Sequence, residues 1–186
     1  MNWTIPGTVI QIPREDATRV EELFSSMFLA GGIALSQVSG ITGLEPYAVQ
    51  NWVKRGFLSP PERKRYTLRQ LCRIININML KGVLPMERIC GMLSYINGQL
   101  DNESDDTIDD SRLYFMFVAL AARIRELDSE TEREKRLKIA MESYVEPVAG
   151  ANARVEKVLR IMLTAYVAAR MQQAAEAMLD EIGKEQ

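Results

Sequence analysis

The feature that most constrains the fold is a pair of short helical patterns joined by a tight turn, within residues 35–58. Ser36 is a candidate cap for the first helix, and Gly43 supplies a turn residue. Pro46 stands at the first position of the second helix, where its missing N–H costs nothing. The segment therefore predicts a helix, a glycine turn and a second helix.

The two faces of the second helix differ in character. Val49, Trp52 and Val53 share one face, which is suited to packing. The other face carries four polar residues at helical spacing: Tyr47, Gln50, Asn51 and Lys54. Amide side chains can bond bidentately to adenine, and a lysine can meet guanine or a phosphate. Taken alone, this face fits a solvated surface as well as it fits contact with base edges in a major groove.

A proline-stiffened loop with three consecutive cations follows the second helix. Thr67, at the end of this loop, is a candidate cap for a third helix. Such charge runs are usually solvated surface. Here the run lies where a DNA-binding wing would follow a recognition helix, and the two features together are more specific than either alone. The residues predicted to contact phosphates are Arg55, Arg63, Lys64, Arg65 and Tyr66.

Charge is segregated along the chain, although the net charge of the 186 residues is only −2. Residues 45–91 contain nine basic and three acidic residues, a net charge of +6, whereas residues 97–111 contain six acidic residues and no basic one. A single basic segment in a mildly acidic protein predicts a local site for a polyanion, here double-stranded DNA.

The same segment resembles the MerR-type winged helix-turn-helix superfamily. The matching stretches are residues 42–46 at the turn, 52–58 at the end of the second helix, 64–67 at the wing exit and 80–89 before the last helix. It is most similar to the bacterial family catalogued as domain of unknown function 1836. The resemblance implies a winged fold that binds DNA. Gln50 and Asn51 replace the Arg-Tyr of many MerR regulators, so operator sequence and promoter twisting do not carry over.

The chain divides into four predicted parts, and we expect an all-α fold. Residues 1–34 hold an amphipathic helix from Asp16 to Leu29 with Asp16 as its cap, and residues 35–97 form the MerR-like module. Residues 98–111 form an acidic linker and the best domain boundary. Residues 112–186 form a C-terminal helical domain. Its second helix opens at a Ser129 and Glu132 capping box and ends at Pro147, and its third spans Asn152 to Ile182.

The first helix of the C-terminal domain predicts self-association. Residues 113–122 are apolar around the whole helix circumference, which a small domain would struggle to cover. The last helix adds Ala165, Ala168 and Ala169, which permit close helix approach. We therefore expect a homodimer through the C-terminal helices, with an unknown small molecule or protein as effector.

Other function classes find little support. The chain has no histidine and lacks a glycine-rich phosphate loop, so we expect neither an enzyme nor a cofactor. Cys72 and Cys90 are predicted to pack in the core, and the acidic residues 105–110 lack the spacing of a calcium loop. Without a signal peptide or a membrane span, the protein is expected in the cytoplasm. The main alternative is a protein-interaction adaptor that keeps the winged fold, has lost DNA binding and uses the apolar helix from Leu113 to Ala122 for a partner.

Overall fold

The computed structural model describes residues 2–97, 107–125 and 128–184. Within these ranges the chain is mostly helical, which confirms the all-α fold class, and a small antiparallel sheet stands at the N-terminus. Its strands are β1, Asn2–Thr4, and β2, Gln11–Pro13. A 3₁₀ helix, Arg14–Arg19, follows β2. The α-helices are α1 Val20–Ser26, α2 Leu35–Thr42, α3 Pro46–Lys54, α4 Leu68–Leu80, α5 Met86–Asn97, α6 Asp110–Ala121, α7 Glu130–Met141 and α8 Ala151–Lys184.

The N-terminal helix begins later than predicted and ends at Ser26 instead of Leu29. The chain enters a 3₁₀ helix directly after Pro13, and the α-helix begins only at Val20. Asp16 is therefore not its cap. Arg14 turns its side chain toward the end of α6 and donates hydrogen bonds to three backbone carbonyls there, a contact from a distant part of the chain that no local pattern reveals.

Helix α4 lies at the centre of the core. The Thr67 hydroxyl accepts a hydrogen bond from the Gln70 N–H at 3.2 Å, which confirms the predicted cap. Eight of the thirteen residues are buried: Leu71, Cys72, Arg73, Ile74, Ile75, Asn76, Ile77 and Leu80. A helix buried on most sides must be covered by several neighbours, and here these are α2, α5, α6 and α8.

Helix α6 is apolar all round because its own chain covers it. It packs against α1, α4, α7 and α8, and Leu113, Tyr114 and Phe117 are fully buried. The inference of a homodimer from this helix loses its basis, since the apolar surface is buried within one chain. The adaptor surface predicted at residues 113–122 is buried for the same reason.

The acidic stretch enters this core before α6 begins. Most of it lies outside the described residues, but Thr107 and Ile108 are buried. The Tyr144 hydroxyl donates a hydrogen bond to the Thr107 carbonyl at 2.6 Å, and the Asp109 carboxylate accepts one from the Ser111 N–H at 2.8 Å. The two predicted domains therefore share one continuous hydrophobic core.

Helices α7 and α8 complete the fold. The Ser129 and Glu132 capping box is present, and α7 ends at Met141, six residues before the predicted terminator. Helix α8 is about 50 Å long at 1.5 Å per residue, close to its predicted limits. Its first half packs on the body, and every residue from Met171 to Ile182 is exposed. No helix in the described ranges combines the length and hydropathy needed to cross a bilayer.

Candidate nucleic-acid interface

The turn between α2 and α3 is closed by local hydrogen bonds. Gly43 has a φ of 70°, in the left-handed region that suits glycine, and its N–H donates to the Ser39 carbonyl at 2.8 Å. The Thr42 hydroxyl accepts from the Leu44 N–H at 3.2 Å. The cap of α2 differs from its prediction, because the helix begins at Leu35 and the Ala34 N–H donates to the Gln37 side chain at 2.9 Å.

Helix α3 has one buried face and one exposed face. Val49 is fully buried and Trp52 is 7% exposed, so these residues fix the rotation of the helix on the core. Tyr47 is 71% exposed. Gln50, Asn51 and Lys54 are exposed as well, and their side chains make no hydrogen bond within the described ranges. The structure thus brings the four predicted base-contacting residues together on one accessible surface.

A short hairpin carries the consecutive cations. Glu62 and Arg65 pair as an antiparallel bridge, with the Arg65 N–H donating to the Glu62 carbonyl at 2.8 Å. Arg63 and Lys64 between them have φ angles of 46° and 65°. Two positive φ angles are what a two-residue type I′ turn requires. Both side chains are exposed, and neither forms an ion pair with any part of the chain that the structure describes.

The base of the hairpin is tied to the residues before α2. Tyr66 and Ile33 exchange two backbone hydrogen bonds of 2.8 and 2.9 Å. A Cβ atom at Gly32 would lie 2.8 Å from the Tyr66 carbonyl oxygen, so this approach requires glycine. Arg65 donates from Nη1 to the Gly32 carbonyl at 2.9 Å. Gly32 therefore allows the base of the hairpin to pack closely against the residues before α2.

Two of the predicted phosphate contacts have other partners in the fold. Tyr66 is 3% exposed, and burial raises the pKa of its hydroxyl. It supports the hairpin from inside the core and therefore lies outside the candidate interface. Arg55 forms an ion pair with Glu87 at 2.8 Å, and its guanidinium lies 4.5 Å from the centre of the Phe57 ring. A phosphate at Arg55 would have to compete with that carboxylate.

Two further arginines of the basic segment point into the protein. The Arg73 and Asp110 side chains are 4% and 2% exposed and form an ion pair at 3.3 Å. Arg73 also donates from Nε to the Phe57 carbonyl at 3.0 Å, just after α3. Arg69 lies 3.6 Å from Asp109. Spacing of four residues places both arginines on one face of α4, but their acidic partners stand about forty residues away and gave no sequence signal.

Two opposing effects act on the pKa of the Asp110 carboxyl, and burial is the larger of them. Burial raises its pKa above the ordinary value, and the positive charges of Arg73 and Arg69 lower it. Its Oδ1 accepts no hydrogen bond within the described ranges. Because Arg73 also bonds to Phe57, this buried pair joins the start of α6 to the end of α3.

The described residues form neither a cluster of metal ligands nor a reactive thiol. Within residues 2–97, 107–125 and 128–184, no three Cys, Asp or Glu side chains are grouped so that they could hold a metal ion. Cys72 is a buried free thiol and Cys90 a half-buried one. Burial raises the pKa of both thiols, which disfavours the reactive thiolate.

Comparison with known proteins shows that the candidate interface lies within a segment that is similar to one described family. Residues 31–117 match the family described as Domain of unknown function (DUF1836), from just before α2 into α6. The chain is also similar to the uncharacterized protein YkrK of Bacillus subtilis (strain 168), with 26% identity over 118 residues. That alignment covers 61% of this chain and 51% of YkrK, so the chain spans about half the length of this relative. No solved structure matches significantly. The resemblance to the DUF1836 family is therefore confirmed.

Proposed function

We propose that this protein is a sequence-specific DNA-binding regulator of transcription. In this proposal α2, α3 and the hairpin act as a winged helix-turn-helix of the MerR type. The observation that carries the proposal is the exposed polar face of α3, held in place by the buried Val49 and Trp52.

The exposed face of α3 provides the groups that base edges need. Gln50 and Asn51 each offer an amide donor and acceptor, which can bond together to the N6 and N7 edge of adenine. Their side chains are not engaged within the described chain. Tyr47 and Lys54 flank them one turn away on either side and extend the same surface.

The hairpin provides the sequence-independent part of the affinity. Arg63 and Lys64 stand at its tip without a carboxylate partner in the described chain. A cation that is not already paired gains most from a phosphate, because it releases a DNA counterion without first breaking an ion pair. Arg65, whose Nη1 is bonded to Gly32, contributes its remaining N–H groups.

A salt titration tests the proposal directly. The full chain is titrated onto a random 30-base-pair duplex and onto fragments selected by the protein from a genomic DNA pool, with fluorescence anisotropy as the signal. We expect binding to both DNAs to weaken as salt rises, and the selected fragments to bind at least about a thousandfold more tightly. Absence of salt-dependent binding to either DNA would contradict the proposal.

A homodimer is also part of this proposal. Because α6 is buried within one chain, we place the dimer interface at the end of α8. The exposed side chains of Met171, Met178 and Ile182 form one stripe on α8, roughly opposite the side that Val155 and Met162 bury on the body. An antiparallel pairing of two copies, centred between Ala174 and Ala175, would place three apolar pairs in contact: Val167 with Ile182, Met171 with Met178, and Ala174 with Ala175. This self-complementarity favours a two-fold interface.

Sedimentation at micromolar concentration tests whether a second copy of the chain covers this stripe. We expect a dimer for the unmodified chain and a monomer for Met178→Glu, because each partner would bury a charge against an apolar surface. Ile139→Glu, at an exposed apolar position on α7, should leave the dimer intact. A monomeric unmodified chain would refute the dimer. Together with absent DNA binding, it would favour the second candidate function, an adaptor that presents α8 to another protein.

A further inference from the structure

A cavity of about 670 Å³ lies between the N-terminal turn, α4 and α8. We propose that it binds a small anionic ligand that carries an aromatic ring, and that this ligand restrains the turn between α2 and α3. The side chains that carry the argument are Trp3, Arg14, Asn78, Tyr166 and Arg170, all of which line the cavity.

The charge of the cavity favours an anion. Its lining includes the guanidinium groups of Arg14 and Arg170, and no Asp or Glu is among its lining residues. Arg14 is fixed at the end of α6, where Nε and Nη2 donate to backbone carbonyls. The N–H groups of Nη1 make no hydrogen bond within the described chain. A positioned guanidinium with donors to spare is preorganised for a carboxylate or a phosphate.

Tyr166 adds a buried donor that has no acceptor. The residue is 8% exposed, and its hydroxyl oxygen accepts from Trp3 Nε1 at 3.4 Å and from Arg170 Nη1 at 3.3 Å. The hydroxyl proton then has no acceptor among the described residues. Because a buried donor left unsatisfied is costly, an anionic oxygen beside this hydroxyl would be stabilised.

The remaining walls favour a ring on the ligand. Ile5, Met79 and Ala169 supply apolar surface, and the Trp3 ring lies 6.0 Å from the Arg14 guanidinium carbon. Small-molecule sites typically combine such apolar walls with a few converging polar groups, in a volume of this size. An aromatic carboxylate or an aromatic phosphate satisfies both parts of the cavity.

The floor of the cavity is bonded to the turn that precedes α3. The Asn78 amide donates to the Gly7 carbonyl and to the Thr42 carbonyl, both at 2.9 Å. The Val9 N–H donates to the Ile41 carbonyl at 2.9 Å. A Cβ atom at Gly7 would lie 2.6 Å from the Ile75 carbonyl oxygen, so the turn is pressed against α4. A ligand that holds this turn therefore also holds the end of α2, and any effect on DNA rests on the proposed function.

Calorimetric titration with three probes tests the cavity without DNA. Benzoate and phenyl phosphate are the two anion arms, and benzyl alcohol is the neutral control. We expect one anion to saturate at one ligand per chain below about 10 mM, and benzyl alcohol to bind at least about tenfold more weakly. The arm that saturates more tightly identifies the anion as carboxylate or phosphate. Failure of both anions to saturate, or equal binding of the alcohol, would overturn the proposal.

Variants locate the binding and separate it from folding. Tyr166→Phe keeps the ring that packs edge-on against Phe117 at 5.6 Å and removes only the hydroxyl. We expect at least about a tenfold loss of anion affinity in Tyr166→Phe and in Arg170→Gln. Arg19→Gln removes the same charge outside the cavity and should bind as the unmodified chain does. Unchanged binding by Tyr166→Phe would place the ligand elsewhere and overturn the assignment.

Hydrogen exchange tests the link to α3. With the cavity saturated, the amides of Gly43 and Leu44 should exchange several-fold more slowly, because their hydrogen bonds depend on the bonded turn below them. Unchanged exchange at both amides would overturn the link. Since no DNA is present, this result is independent of the outcome for the proposed function.

Discussion

The hairpin and the first half of α4 carry cations from the same basic segment, yet the fold uses them in opposite ways. Arg63 and Lys64 at the hairpin tip are exposed and have no carboxylate partner in the described chain. Arg69 and Arg73 turn inward and meet Asp109 and Asp110. A net positive charge in the sequence therefore overstates the charge offered to a polyanion, because part of it is neutralised by the acidic stretch.

The difference also separates two kinds of consequence. An exposed cation contributes little to stability, since water and salt screen it and its loss removes no packing. A buried cation that pairs with a buried carboxylate is costly to remove alone, because the carboxylate is left without compensation. Variants on the two elements should therefore change different measurements, stability for α4 and DNA affinity for the hairpin.

The largest effect is expected at the buried pair. Arg73→Ala should lower the free energy of unfolding by about 3–5 kcal/mol, because Asp110 stays buried without its partner. Unfolding in urea gives this value. The double variant Arg73→Leu with Asp110→Leu should recover much of the loss. A single-variant loss below about 1 kcal/mol would mean that α4 and the hairpin hold their cations in the same way.

A smaller effect is expected where sequence preference arises. Gln50→Ala and Asn51→Ala should each cost about 1–3 kcal/mol of binding on selected DNA and little on random duplex, because an amide bonds to particular base edges. Anisotropy titrations on both DNAs measure this difference. Trp52→Ala serves as the control, since truncating this buried ring should unfold the module and abolish binding to both. Equal losses on the two DNAs would place these amides outside the groove.

The pH dependence of the Arg73→Ala effect sharpens the comparison. Burial raises the pKa of Asp110 in the folded protein, and the variant loses the strongest charge that lowers it. A carboxyl whose pKa is higher folded than unfolded takes up a proton on folding, so stability falls as pH rises from about 4 through the folded pKa.

The destabilisation by Arg73→Ala should accordingly be smaller at pH 5 than at pH 8, with a slope of up to about 1.4 kcal/mol per pH unit. Urea unfolding across this range measures it, and Arg73→Ala combined with Asp110→Asn should show a flat profile. The same destabilisation at both pH values would show that the carboxyl does not take up the proton.

The smallest effect is expected at the hairpin tip. Lys64→Ala should leave stability unchanged within about 0.5 kcal/mol and lower the slope of log affinity against log salt by roughly one unit on any duplex. Alanine keeps a Cβ atom, so the positive φ at this position is no better or worse accommodated. Lys157→Ala, an exposed lysine on α8, is the matched control and should leave the slope unchanged. Equal slopes for both variants would remove the hairpin from the interface.

Local patterns predicted most of the secondary structure because the determinants are local. Gly43 and Pro46 predicted the turn and the start of α3, and the Thr67 and Ser129 caps depend on residues three positions away. The strands β1 and β2, each of three residues, were missed because so short a run gives no period to detect. Within the candidate site, α3 was placed correctly because its polar and apolar faces alternate clearly.

The sequence by itself determined which helices form, which side of α3 is polar and where basic residues are concentrated, since these depend on neighbours within a few positions. Only the tertiary structure decided that α6 is covered by its own chain, that Arg73 pairs with Asp110, and that Tyr66 lies inside the core. An all-round apolar helix requires a cover without specifying which, and a buried arginine requires a carboxylate without specifying its distance along the chain. Those partners are chosen by packing, which brings together residues that no local pattern connects.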